Sequence, residues 1–337
     1  MLVAEPSVAT VGGASRSRAV LTMVLRVAVS GLLLSILIPH LPDANEIFPK
    51  ESHASTFALL GAAFLATLGG VLLSARRWQT VLKAFDAHVP LPTLVSHLLA
   101  GMFVGNALPG TIGGDVLRVS RSAKSTGSST TAFAAVVIER LTGFVALPFL
   151  TFVAFVVHPS LLDHKRAWLA LLIACITLLT LGVILIVAGH PRLAGRFASH
   201  ENSMRFVGAV HLGIDDLRRR PHATRQIFVA AVTYQASVVL SVLLIIRALE
   251  LQLPTAAVVA FVPAVAIAQV LPISISGLGV REGLLSGFLT GFGIQTGQAV
   301  AVGLLWYGMT LLVSLLGAPS FATGHRRCHQ HPKGPAS

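Results

Sequence analysis

The feature that most constrains this chain is a series of long apolar runs from which charge almost disappears. Residues 19–38, 57–75, 132–157, 168–188, 227–246 and 299–318 each approach or exceed the roughly 20 residues that a helix needs to cross the hydrocarbon core of a bilayer. Only 11% of the 337 residues are charged, against about 25% in a soluble domain. Lipid satisfies no backbone hydrogen bonds, so a spanning segment must be a helix or part of a closed barrel. Barrel strands would alternate in polarity over ~10 residues, and these runs do not. The expected fold class is an all-α polytopic membrane protein with about six full spans.

The formal net charge is +12. In a soluble protein that excess would suggest nucleic acid. Here the basic residues collect between apolar runs, which is the mark of cytoplasmic loops, and no nucleic-acid module is present. Arg192, Arg196, Arg205, Arg218, Arg219, Arg220 and Arg225 form the strongest cluster. Within it, Phe206, Val207, Val210, Ile214 and Leu217 recur at helical spacing, so residues 204–217 read either as an interfacial amphipathic helix or as a solvated loop. Residues 40–55 carry Asp43, Glu46, Lys50 and Glu51 and are placed outside. Arg76, Arg77 and Trp78 read as a cytoplasmic anchor closing the second span.

These assignments give a cytoplasmic disordered lead at 1–18, one transmembrane domain at 19–318 and a basic cytoplasmic tail at 319–337, in an inner (cytoplasmic) membrane. Residues 19–38 are long for a signal peptide and no small-residue cleavage site follows, so they read as an uncleaved first span. The two cysteines, Cys175 and Cys328, make no disulfide framework. His325, Cys328, His329 and His331 match no closed zinc spacing. Ser274 and Ser276 lack a nearby histidine base. No phosphate-binding GxxxxGK[ST] loop occurs. The expectation is no cofactor, no metal and no enzymatic activity.

Two stretches break the apolar pattern in the same way. Residues 94–108 are apolar but reach only about 22 Å at the helical rise, and then meet Pro109, Gly110, Gly113, Gly114, Asp115 and Arg118. Residues 254–272 are apolar and lead through Pro272 to Gly277, Gly279, Arg281 and Glu282. With the prolines aligned, Asn106 falls on Gln269, Gly114 on Gly277 and Arg118 on Arg281. Each stretch reads as a re-entrant or broken helical hairpin, with a full span ending near Asp115 as the alternative for the first. The loop charges then orient units 57–157 and 227–318 oppositely, as an inverted repeat. Inverted repeats with discontinuous helices are characteristic of alternating-access carriers, whose substrate site lies at the breaks.

The broken stretches carry residues suited to an anion. Proline removes a backbone donor, and the glycines Gly113, Gly114, Gly277 and Gly279 let backbone approach a ligand or another helix closely. Freed amides at the start of a half-helix favour negative charge. Arg118 and Arg281 add planar forks that match phosphate. Asp115 and Glu282 either pair with these arginines or close a hairpin neck. Glu139 and Arg140 are neighbours on one helix and cannot face each other, so they are either intramembrane site residues or mark a span boundary. Asn106 and Gln269 are expected to bind freed carbonyls.

The segment from Asn106 to Arg118, the Glu139-Arg140 pair and the stretch from Ser276 to Gly283 together resemble the lysylphosphatidylglycerol synthase transmembrane-region family, whose members are also called flippase-like domain proteins. The resemblance covers roughly residues 18–318. It implies an integral inner-membrane protein that moves, or helps move, an anionic or polyprenyl-phosphate-linked (glyco)lipid. In well-known members the domain is fused to a soluble aminoacyl-transferring part; this chain ends soon after its last apolar run, so that part is expected to be absent. The partners implied are membrane lipids with a phosphate-bearing headgroup. A lipid-modifying enzyme served by a non-transporting membrane subunit is the alternative. The oligomeric state is left open.

Overall fold

A computed structural model describes residues 54–107, 111–189, 220–271, 274 and 276–326, with isolated helical positions at 24, 28, 31, 32, 35, 208, 210, 211 and 213. The first apolar run, the lead, the amphipathic segment at 204–217, Pro109, Pro272 and the end of the tail lie wholly or largely outside those residues.

Ten α-helices follow in order among the described residues. They are α1 (Ala54–Ala84), α2 (Leu91–Ala107), α3 (Thr111–Thr126), α4 (Ser129–Val157), α5 (Ala167–Gly189), α6 (Pro221–Ala248), α7 (Thr255–Ala268), α8 (Val280–Leu289), α9 (Thr296–Leu315) and α10 (Gly317–Arg326). No strand occurs among the described residues. Five helices, α1, α4, α5, α6 and α9, are long and apolar enough to cross a membrane, and α2 and α7 are shorter apolar helices. The chain is therefore an all-α polytopic membrane protein. Apolar side chains such as Val156, Leu179 and Ile186 lie exposed on its surface, as expected of groups that meet acyl chains rather than water.

Local sequence explains the boundaries. The Ser128 side chain accepts the Thr131 amide at 3.2 Å and caps α4. Pro221 starts α6 at a position where its missing N–H costs nothing. Pro148 and Pro263 sit inside α4 and α7 without ending them, as packed membrane helices allow. Both apolar hairpins are broken as expected: α2 stops at Ala107 and α3 starts at Thr111, while α7 stops at Ala268 and α8 starts at Val280.

Packing partners occur in related pairs. Helix α1 lies along α6. Helix α4 packs on α7, and α9 packs on α2; α3 lies on α4, and α8 lies on α9. The α1–α6 seam is built from small and hydroxylated residues. Thr67 and Ser241 share a hydrogen bond of 2.8 Å, Ser241 donates to the Ala63 carbonyl at 3.0 Å, and a Cβ on Gly70 would stand 2.8 Å from Ser237 Oγ. Backbones can approach there because nothing bulky intervenes. Helices α7 and α8 pack through Phe261 and Phe288, stacked with centroids 4.7 Å apart.

Two elements differ from the sequence expectation. Helix α1 continues beyond residue 75 to Ala84, and Arg77 and Trp78 are buried at 4% and 0% exposure. They are interior residues, not an interfacial anchor, because α2, α4 and α6 close over them. The residues read as the start of a tail form α10, which lies on α2. A Cβ on Gly317 would run into the Leu99 carbonyl. Arg121 of α3 donates to the carbonyls of Ser320 at 3.0 Å and Phe321 at 3.2 Å.

Candidate functional site

Where the two broken hairpins meet, helices α1–α4 and α6–α9, with the turn between α7 and α8, line a cavity of about 350 Å³. Asn106, Gly114, Asp115, Arg118, Glu139, Arg140, Gln269 and Arg281 all line it, so eight of the residues singled out by sequence come together. Arg118 belongs to α3 and Arg281 to α8, the matched positions of the two hairpins. Both are nearly solvent-excluded, at 4% and 5% exposure.

The first hairpin supplies a tight ion network. Glu139 accepts from Arg118 Nη2 at 3.0 Å on Oε2 and from Arg77 Nη2 on Oε1, where Ser74 Oγ also stands at 3.4 Å. Asp115 accepts from Arg140 Nη2 at 2.8 Å and, more weakly, from Arg118 Nη1 at 3.4 Å. Glu139 and Arg140 thus point to different partners, as their adjacency on α4 requires. Glu139 is an interior residue, while Arg140 is about 42% exposed.

Small residues make room for this network. A Cβ on Gly101 would stand 2.8 Å from Arg118 Cγ and 3.0 Å from the Gly114 carbonyl oxygen, and one on Gly114 would collide with the Gly101 carbonyl. The hairpin can seat Arg118 only because both positions lack a side chain. Gly143, one turn beyond Glu139, leaves space for Arg77.

The second hairpin treats its arginine differently. Arg281 Nε donates to Gln269 Oε1 at 2.9 Å and Nη2 to the Ser276 carbonyl at 3.2 Å. Its guanidinium lies over the rings of Trp306 and Tyr307, at 5.1 and 5.2 Å from their centroids. Arg118 has one such ring, Trp78 at 4.4 Å, and Arg77 has Tyr234 at 5.0 Å. These faces stabilise a cation without neutralising it.

Several expectations are corrected here. Glu282 does not pair with Arg281 or line the cavity; it sits at the third position of α8 and accepts the Gly279 amide at 2.6 Å. The helix start expected to cradle a ligand anion already holds the chain's own carboxylate. Gly277 and Gly279 have φ of 77° and 84°, and a Cβ on Gly277 would stand 2.6 Å from Gln269 Cβ. They shape the turn into α8 and do not line the cavity, and neither does Gly113 in the first turn of α3. Gln269 was expected to bind freed carbonyls; it receives Arg281 instead. Sequence reasoning missed Arg77, Trp78, Tyr234, Gln235, Trp306 and Tyr307 as cavity or network residues.

Four guanidiniums, of Arg77, Arg118, Arg140 and Arg281, line the cavity with two carboxylates, of Asp115 and Glu139. That leaves a formal excess of two positive charges. Buried N–H donors are also left without partners: Arg77 Nε and Nη1, Arg118 Nε and Arg281 Nη1. Buried donors are normally satisfied, so an enclosed set of free guanidinium donors is complementary to an anion with several oxygens.

Comparison with known proteins gives the same class. The family model of the lysylphosphatidylglycerol synthase TM region matches residues 23–317. The chain belongs to the lysylphosphatidylglycerol synthase TM region family. One curated relative is a UPF0104 membrane protein of Pyrococcus horikoshii, 30% identical over 105 residues. That match spans 30% of this chain and 31% of the relative. No solved structure matches. As a member of this family the protein is an integral multi-pass membrane protein, and its arginine-lined cavity lies inside the matched region.

Proposed function

We infer that this protein is a translocase for a lipid with a phosphate-bearing headgroup, either an anionic phospholipid or a polyprenyl-phosphate-linked (glyco)lipid, in an inner membrane with both termini cytoplasmic. The observation that carries this reading is the placement of Arg118 and Arg281, from two separate broken hairpins, on one cavity with unfilled donors and excess positive charge. A headgroup phosphate supplies the missing acceptors and charge. The aromatic faces of Trp306 and Tyr307 and the amides of Asn106 and Gln269 suit the uncharged remainder of a polar headgroup.

The paired packing of the helices supports two related units of opposite orientation, rocking about the cavity they share. In this reading the chain moves its ligand without making or breaking covalent bonds. Reconstitution into proteoliposomes with a fluorescently labelled phosphatidylglycerol tests it. Wild type is expected to move the label between leaflets, and Arg118→Gln or Arg281→Gln to lose that movement while remaining folded by circular dichroism. Unchanged movement in both variants removes the site assignment.

A further inference from the structure

Glu139 holds the place a phosphate would take. It is 2% exposed and meets two guanidiniums from different helices, Arg77 of α1 and Arg118 of α3, one on each oxygen. A carboxylate has two oxygens for these two forks. Arg77 Nε and Nη1 and Arg118 Nε remain unfilled around it. A phosphodiester also carries two charged oxygens for the two forks, set wider apart on a tetrahedral centre and flanked by two ester oxygens, so it can take the place of the carboxylate and reach further donors.

A displaced Glu139 leaves both of its cations to the ligand, and the cavity's remaining open guanidinium, Arg281 on α8, is itself a binding group for the same anion. Facing it from α1 are Arg77 and Ser74, and from α3 Arg118, with Asp115 behind it. From its own helix comes Arg140, committed to Asp115 at 2.8 Å. Helix α6 brings Tyr234 and Gln235 to the cavity wall. Helices α5 and α7 contain no Asp, Glu, Lys, Arg or His, and the short turn at Pro159–Asp163 caps the far end of α4. An ionised carboxylate left unpaired in so buried a place is strongly disfavoured, and a proton removes that cost.

We propose that a phosphate-bearing ligand displaces Glu139 from Arg77 and Arg118 and that the freed carboxylate takes up one proton from solvent. An O–H bond forms on Glu139, and the proton comes from water at the exposed Asp115–Arg140 side of the cavity. One negative charge replaces another, so the formal charge of the site is unchanged. Anion and proton therefore enter together. This rests on the reading of the cavity as a phosphate-headgroup site and adds a proton-coupled exchange to it.

The test is isothermal titration of the intact wild-type protein in detergent with dioctanoyl phosphatidylglycerol, in buffers of different ionisation enthalpy at neutral pH. A phosphodiester has no proton of its own to exchange there. The expected result is uptake of about one proton per lipid bound. Glu139→Gln is expected to bind severalfold more tightly with no proton uptake. Lipid binding by wild type without proton uptake overturns the exchange and leaves the translocase reading standing. Inorganic phosphate is titrated in parallel: Glu139-dependent proton uptake with it, and no binding of the lipid, keeps the exchange but reassigns the cargo to a free anion. Binding of neither ligand overturns both readings. The wild-type measurement decides even where the variant fails to fold.

Discussion

Arg281 lies 5.1 Å from the centroid of the Trp306 ring, and among the described residues no carboxylate comes within ion-pair distance of it. Arg118, which aligns with it in sequence when the two prolines are superposed, is held by Glu139. The two hairpins therefore present the same cation in opposite electrostatic states, one neutralised and one open.

The open arginine should bind more of the ligand's charge. Arg281→Lys keeps the charge but loses the planar stack and the fork to Gln269. With ring contacts worth about 1 kcal/mol each, headgroup affinity is expected to fall by roughly tenfold, and Trp306→Ala by a smaller factor. Titration with short-chain phosphatidylglycerol measures both.

The ion network around Glu139 should also contribute to stability. Arg77→Met leaves Glu139 with a single cation in a buried setting, and Glu139→Ala leaves two guanidiniums without an anion. Breaking a buried pair costs about 3–5 kcal/mol. Each variant is expected to lower the thermal midpoint in detergent clearly, and bound phospholipid should restore Glu139→Ala more than Arg77→Met.

The α2–α3 hairpin depends on the absence of side chains at its crossing. Gly114→Val would drive a branched side chain into the Gly101 backbone. Overpacking of this kind costs about 1–3 kcal/mol. The expected outcome is lower stability together with loss of translocation, because the same movement displaces Arg118. Gly61→Val, where a Cβ meets nothing within 4 Å, serves as the control and should change neither.

The arrangement of Asp86 and Arg220, in the turn after α1 and at the start of α6, gives a pH signature. Arg220 donates to Asp86 at 2.8 and 3.0 Å, and this hydrogen bonding, followed by the guanidinium's charge, holds the carboxyl below its ordinary value of 3.8. A depressed carboxylate contributes stability above its unfolded value and loses it as pH falls through its folded one. The pair is exposed, so the contribution is small and salt-sensitive. The difference in thermal midpoint between wild type and Asp86→Asn should be present near neutral pH, shrink in high salt and vanish in acid below the carboxylate range.

Much of this site was legible because its residues repeat. The spacing from Pro109 to Arg118 and from Pro272 to Arg281 marked two breaks in apolar surroundings, and the fold brings both arginines to one cavity. Glu139 was legible as a charge that needed a distant partner, but its partner was not. Arg77 sits beside Arg76 and Trp78, a local pattern common at membrane boundaries, and nothing nearby says that α1 continues for another two turns. Glu282 misled because an acid next to an arginine suggests a pair, whereas on a helix neighbours diverge and the third position favours the cap. Trp306 and Tyr307 carried no signal of a site in the sequence, because their ring faces meet Arg281 only once α8 folds against α9.

Helix α10 gives the C-terminus a mechanical connection. Through Gly317 it abuts the backbone of α2, and through Arg121 it is fastened to α3, the two arms of the hairpin that carries Arg118. The segment that follows the last span thus shares contacts with both arms of the arginine-bearing hairpin, so changes in how α10 seats are expected to be felt at Arg118.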